Sequence, residues 1–304
     1  MDTPWGEVAV SDAHVHFLSQ QFFVTLAEQK GSSLSPQLTA LGIEAPGNAQ
    51  ELAQRWVHEL DQNGVQSASL IASIAGDEES VQAAVQAFPD RFHGYFMLDP
   101  TGAGALDRLT RALQGGLRGV CFFPAMHRYS MHDERITPIL ERIAREPGAV
   151  VFVHCGVLSV GIRAKLGLPS RFDMRFSSPL DVHAQALRFP HLSFVIPHFG
   201  AGLFREALML ADLCSNVYFD TSSSNSWVKY QSPRVELQEV FRQALDVAGA
   251  RRLLFGTDSS IFPRGWHRAI FESQAGLLSQ LGVTAEDAQL IFGGNLRRIL
   301  SLPS

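Results

Sequence analysis

Two histidines separated by one residue, His14 and His16, follow the apolar run Val8-Ala9-Val10, and Asp12 lies two residues ahead of the first. That run reads as the opening strand of the fold. Side chains along a strand alternate between its faces, so His14 and His16 share a face, and Asp12 is expected to share it too. Two imidazoles with a carboxylate beneath them make half of a divalent-metal site. Three more residues of ligand type each close a later apolar run. These are His154 in Val153-His154-Cys155-Gly156, His198 in Pro197-His198-Phe199-Gly200 and Asp258 in Gly256-Thr257-Asp258-Ser259. One histidine at a strand end is ordinarily a core residue. Three ligand-type residues at equivalent places, added to the pair, point to a shared metal site.

The elements that must bring these residues together repeat along the chain. Strand-like apolar runs occupy 67–75, 92–98, 119–123, 150–153, 192–196, 217–219 and 253–255, which with the first makes eight. Amphipathic stretches separate them, opened by Asp77-Glu78-Glu79, Asp133-Glu134 and Pro179-Leu180-Asp181. The spacing of Leu52, Trp56, Val57 and Leu60 predicts a helix over 50–63, stopped by Gly64. Continuously apolar strands suit a parallel sheet covered on both faces. Eight strand–helix units predict an α/β fold of the (β/α)₈ TIM-barrel type, with its chemistry at the C-terminal strand ends. A doubly wound open sheet fits less well, because no Gly-x-Gly-x-x-Gly follows the first strand. Residues 1–304 read as one domain, with 17–48 a lid or pocket wall inserted after the first strand.

The bulk properties narrow the partners. The formal charge of −5, with no cluster of Lys or Arg, argues against nucleic acid and anionic membrane. No apolar run is long enough to span a bilayer. The start of the chain, Met1-Asp2-Thr3-Pro4-Trp5, lacks the basic and apolar regions of a secretory signal. Three widely spaced cysteines, Cys121, Cys155 and Cys214, suit reduced thiols, so a cytoplasmic location is expected.

With the strand ends laid out in this way, the chain resembles the amidohydrolase superfamily. The similarity is to its amidohydrolase-related branch, which includes aminocarboxymuconate-semialdehyde decarboxylase, resorcylate-type decarboxylases and 2-pyrone-4,6-dicarboxylate lactonase. The first-strand motif falls on His14 and His16, the fifth-strand histidine on His154, and the histidine of Pro-His-Phe-Gly on His198. The aspartate of Phe-Gly-Thr-Asp falls on Asp258, and Gly293-Gly294-Asn295-Leu296 is similar to the family's closing segment. The resemblance implies one divalent ion held by His14, His16, His154 and Asp258. Zn²⁺ suits the nitrogen-rich set best and Mn²⁺ is compatible with it. It implies that His198 acts as base or proton donor, and that Asp258 both ligates and relays a proton. Binuclear members carry a lysine or glutamate at the end of the fourth strand. Here that stretch is Gly119-Val120-Cys121-Phe122-Phe123-Pro124, and none of the three lysines (Lys30, Lys165, Lys229) ends a predicted strand, so a single metal is expected.

Substrate contacts are sought in the loops. Residues 156–178 carry Arg163, Lys165, Arg171 and Arg175, and His127 follows the fourth strand. An arginine over the metal would grip a carboxylate with two parallel hydrogen bonds. Arg163, Arg171, His127 and Trp227 are the expected substrate contacts, with Trp266 and the first-loop phenylalanines Phe17, Phe22 and Phe23 as further pocket walls. The expected activity is hydrolysis of a C–O or C–N bond in a small cyclic or carboxylated molecule. Non-oxidative decarboxylation on the same ligands is the alternative. A binding scaffold without catalysis is disfavoured because the ligand set is complete. The expected partner is a small anionic substrate, and a homo-oligomer is compatible with the sequence.

Overall fold

A computed structural model describes residues 1–169 and 172–302. Eight parallel strands run in chain order around one sheet. They are β1 (Val10–Phe17), β2 (Val65–Ala72), β3 (Phe92–Met97), β4 (Gly119–Phe122), β5 (Val150–Val153), β6 (Ser193–Pro197), β7 (Val217–Asp220) and β8 (Leu253–Leu254). Backbone bonds join β1 to the segment that continues β8. Ala13 N donates to Phe255 O at 2.8 Å, Asp258 N to His14 O at 2.9 Å, and His16 N to Ser259 O at 2.7 Å. These bonds nearly close the sheet, and the TIM barrel expected from the strand count is the fold observed.

Strand parity divides the apolar residues into two layers. Outward residues such as Leu70, Phe96, Val120, Val151 and Phe219 pack under the surrounding helices. Inward residues such as Ile71, Tyr95, Cys121, Phe152 and Tyr218 fill the barrel, and Leu296, Ile299 and Leu300 join that inner layer. Tyr95 even uses space that a side chain at residue 119 would need, since a Cβ on Gly119 would lie 2.1 Å from its ring. Close packing of this kind is what fixes the strand ends that carry the site.

The helix expected over 50–63 is Ala49–Asn63. Its start is set by a reciprocal cap in which Glu51 N donates to Asn48 Oδ1 (2.9 Å) and Asn48 N to Glu51 Oε2 (3.3 Å). Such a cap contributes about 1 kcal/mol. Gly64 ends it at φ 66, a left-handed conformation in which glycine bears no side-chain penalty.

Two elements differ from expectation. The first strand is not the apolar run 8–10 but Val10–Phe17, so the histidine pair sits inside it. Residues 17–48 contain two helices, Gln20–Lys30 and Ser35–Ala40. Their apolar residues (Leu18, Phe22, Leu26, Leu38) form a small cluster with Leu166 and Leu168 from the loop after β5. Among the described residues no helix is long and apolar enough to cross a membrane.

Candidate active site

His14 and His16 project from β1 toward one another, with their Nε2 atoms 3.2 Å apart. The partners of the other ring nitrogens decide where the protons are. His14 Nδ1 lies 2.6 Å from Asp220 Oδ2, a carboxylate that can only accept, so Nδ1 carries the hydrogen. His16 Nδ1 lies 2.7 Å from Ser73 Oγ. That hydroxyl spends its own proton on Ile71 O at 3.1 Å and therefore accepts from His16. In the neutral rings both Nε2 atoms are thus bare. Asp258 Oδ1 completes the group at 3.1 Å from His16 Nε2 and 3.7 Å from His14 Nε2.

Three ligand-type atoms converge within 4.8 Å of one another, and with both rings neutral none of them carries a proton. Only a cation makes such a cluster favourable, and imidazole, imidazole and carboxylate are donors that suit a divalent metal. Although burial penalises charge on His14, the carboxylates around it, Asp220 foremost, push its pKa up to about 9, so at neutral pH the ring takes up a second proton, on Nε2, that a metal ion would displace. Burial also works against the Asp258 carboxylate, but His16 and His14 hold it well below the usual carboxylate range. The residues present fit a metal ion.

His198 stands beside this cluster, its ring centroid 5.1 Å from that of His14. It opens a turn in which His198, Phe199 and Ala201 all take positive φ (53°, 52° and 43°). Left-handed backbone at such residues costs on the order of 1 kcal/mol each and persists only where surrounding packing enforces it. Phe199, wedged in the outer layer against Phe219 and Phe241 (5.8 and 5.1 Å), provides that packing. His198 Nδ1 donates to Ser222 O at 3.1 Å and lies 2.9 Å from Ser222 Oγ. Burial lowers its pKa, which favours the neutral ring. His154 stacks on Phe123 (5.5 Å) and meets the edge of His198 (5.4 Å). It lies outside the three converging atoms, and its buried Nδ1 has no hydrogen-bond partner among the described residues. Burial, with His198 and His14 nearby, pushes its pKa well down.

Asp12 does not share the face of the pair. A register shift between Asp12 and Val15 interrupts the alternation. The carboxylate instead accepts from His14 N (2.9 Å), Thr257 N (3.1 Å), Thr257 Oγ1 (2.5 Å) and Trp266 Nε1 (2.7 Å). Burial still raises its pKa to about 6 against these four donors. Its role is to brace β1 against residues 257–259, where Asp258 sits at φ 59. Gly256 is the floor: a Cβ there would lie 2.8 Å from Asp220 Oδ1 and 3.0 Å from both His14 Cβ and Ser222 Cβ.

The cluster opens into a cavity of about 440 Å³, a size suited to a small organic molecule. His14, His16, His154, His198 and Asp258 all reach it, and Leu18, Phe22, Met97 and Phe123 give it apolar walls. Its cationic groups among the described residues are Lys165 and Arg264. No carboxylate among the described residues lies within 4 Å of Arg264, which donates to Ser260 Oγ at 2.9 Å.

A family model described as amidohydrolase matches residues 11–302. The chain belongs to the amidohydrolase family. Solved structures similar to this amidohydrolase share its barrel from end to end. One is an uncharacterized TIM-barrel protein of Bordetella bronchiseptica, 18% identical, with a TM-score of 0.66 over 97% of this chain and 99% of that one. A probable 2-pyrone-4,6-dicarboxylic acid hydrolase of Acinetobacter baumannii, with citric acid bound, is 16% identical at a TM-score of 0.62, covering 96% and 99%. A Burkholderia multivorans amidohydrolase with bound zinc is 15% identical at 0.60, covering 97% and 100%. No curated protein matches.

The amidohydrolase places its expected site residues unevenly. His14, His16, His154, His198 and Asp258 meet at one cavity; of the three expected phenylalanines Phe22 lines it, while Phe17 packs in the outer core and Phe23 is not on its wall. Arg163 instead bonds Gln29 Oε1 (2.6 Å) and Pro169 O (3.3 Å). His127 stacks on Tyr129 at 6.5 Å. Trp227 is buried against Phe204 and donates to Asn225 Oδ1 at 2.9 Å. None of these three is on the cavity wall, and Trp266 is occupied with Asp12. Arg171 lies outside the described residues. Cys121 belongs to the inner layer, its thiol pushed up by burial. Asp220, Ser222 and Ser73, which orient the histidines, were not singled out from sequence. An acidic residue closing an otherwise apolar strand, Val217–Asp220, was the one signal for the first of them.

Proposed function

We propose that this enzyme of the amidohydrolase superfamily hydrolyses a C–O or C–N bond in a small cyclic or carboxylated molecule, using one divalent metal ion. The observation that carries the reading is the convergence of His14 Nε2, His16 Nε2 and Asp258 Oδ1 beside His198 at the floor of a cavity. His154, with its orphaned ring nitrogen, is the fourth candidate donor. Zn²⁺ suits the donor set best, and Mn²⁺ is compatible with it. Bound there, such an ion supplies Lewis acidity toward water and a carbonyl.

The chain's own residues account for the rest. Asp220 and Ser73 hold the two histidines in the tautomers that leave Nε2 free. His198, with Nδ1–H committed to Ser222, offers Nε2 to the cavity as a base that takes a proton from the attacking water and returns it to the leaving group. Lys165 and Arg264 attract an anionic substituent, and the apolar walls hold a ring. The test is a panel of lactones, cyclic amides and aromatic acids offered to the zinc-loaded protein, with products read by mass. A product equal to substrate plus water supports the proposal. Loss of carbon dioxide without addition of water contradicts it, and turnover of nothing favours a binding role.

A further inference from the structure

Among the described residues, Ser222 has a side chain within hydrogen-bond distance of both the metal-facing His14 and the base His198. It follows Asp220 by two positions, at the end of β7, and is fully buried. Its Oγ lies 3.0 Å from His14 Nδ1 and 2.9 Å from His198 Nδ1, and its carbonyl oxygen lies 3.1 Å from the same His198 atom. Its N–H donates to Asp220 Oδ1 at 2.8 Å, while the other oxygen of that carboxylate holds His14. The seventh strand end is therefore one rigid bracket for two histidines.

We propose that Ser222 is a positioning residue that sets the tautomer of His198; this rests on the hydrolase reading above. The donor accounting carries it. A carbonyl oxygen cannot donate, so a ring nitrogen held against Ser222 O must carry the hydrogen. Ser222 Oγ, on the same side, gives that N–H a second acceptor. With Nδ1–H fixed, Nε2 is left bare as the basic atom. Were the hydroxyl to donate to Nδ1 instead, the proton would move to Nε2, two lone pairs would face each other at 3.1 Å, and the ring would present a donor where a base is needed. The backbone is built for the first arrangement: the left-handed turn at His198 and the Asp220 bond to Ser222 N–H together hold the carbonyl and the ring in place.

Long-range ¹H–¹⁵N spectra of histidine-labelled protein read the tautomer directly, with His198 assigned by its loss in His198→Asn. The expected result is the Nδ1–H form in the unmodified protein, with or without zinc. Ser222→Ala keeps the carbonyl oxygen and removes the one hydroxyl that could donate to Nδ1, so His198 is expected to stay in the Nδ1–H form there as well. An Nε2–H form in the unmodified protein overturns the proposal, as does a change to the Nε2–H form in Ser222→Ala, because the hydroxyl and not the carbonyl would then set the tautomer. Loss of zinc from that variant also overturns it, because Ser222 would then act through His14. A protein that shows the Nδ1–H form yet hydrolyses nothing overturns the hydrolase reading instead, so the two failures are told apart.

Discussion

Replacing Asp220 by asparagine tests the support of the metal site at a residue that faces no substrate. Asp220 is fully buried, and its two oxygens serve different donors, His14 Nδ1 at 2.6 Å and Ser222 N at 2.8 Å. An amide has only one oxygen. It can satisfy His14 or Ser222, and its NH₂ then faces the donor left over. One buried N–H without an acceptor costs about 1–3 kcal/mol of stability. The charge is lost as well, and Asp220 is the group that does most to make His14 electron-rich. Losing such a supporting carboxylate ordinarily weakens metal binding by about 10–100-fold, or about 1.4–2.7 kcal/mol. Zinc affinity measured by competition with a chromogenic chelator, paired with a thermal melt, separates the two effects. Asp220→Asn is expected to bind zinc at least tenfold more weakly. A variant that melts lower but binds zinc within twofold of the unmodified protein would refute the claim that Asp220 tunes His14.

Other expectations follow from the same contacts. Gly256→Ala puts a methyl 2.8 Å from Asp220 Oδ1 and should lower stability by about 1–3 kcal/mol and weaken zinc binding, read by melt and titration. Arg264→Ala should raise KM for an anionic substrate about tenfold with kcat held, since a charged hydrogen bond contributes about 1.5 kcal/mol or more; an unchanged KM would remove Arg264 from recognition. Burial, with Arg297 adding to it, holds the pKa of His93 down at about 4, and its Nε2 has no hydrogen-bond partner among the described residues. The unfolded chain therefore takes up a proton at His93 that the folded one refuses. This contribution to stability is present above about pH 6.5 and is lost as pH falls toward 4, by at most about 3 kcal/mol. In His93→Gln, denaturant unfolding at stepped pH should show a shallower loss over that window.

The barrel was legible because most of its strands, such as Val150–Val153 and Gly119–Phe122, are apolar on both faces, which a buried parallel sheet requires. The first strand was harder to bound, since Ser11, Asp12 and His14 are buried by hydrogen bonding rather than by hydrophobicity. Parity put His14 and His16 on one face, and the strand-end pattern put Asp258 near them, as the convergence of the three shows, but parity failed at Asp12, where a register shift breaks the period of two. Nothing local announces that Asp220 meets a histidine 206 residues away in the chain. The loop residues failed for a different reason. Arg163 and Trp227 sit near strand ends in sequence, yet each loop folds by its own packing. Trp227 is drawn into the aromatic cluster with Phe204, while Lys165 and Arg264, no more conspicuous in composition, reach the cavity.

The central claim is that His14, His16 and Asp258 hold one divalent ion. Elemental analysis of the zinc-loaded protein, beside His14→Ala, His16→Ala and Asp258→Ala, tests it most directly. About one ion per chain, lost in all three variants while their circular dichroism stays that of the folded barrel, is the predicted result. Two ions per chain, or one ion retained in the variants, would contradict it.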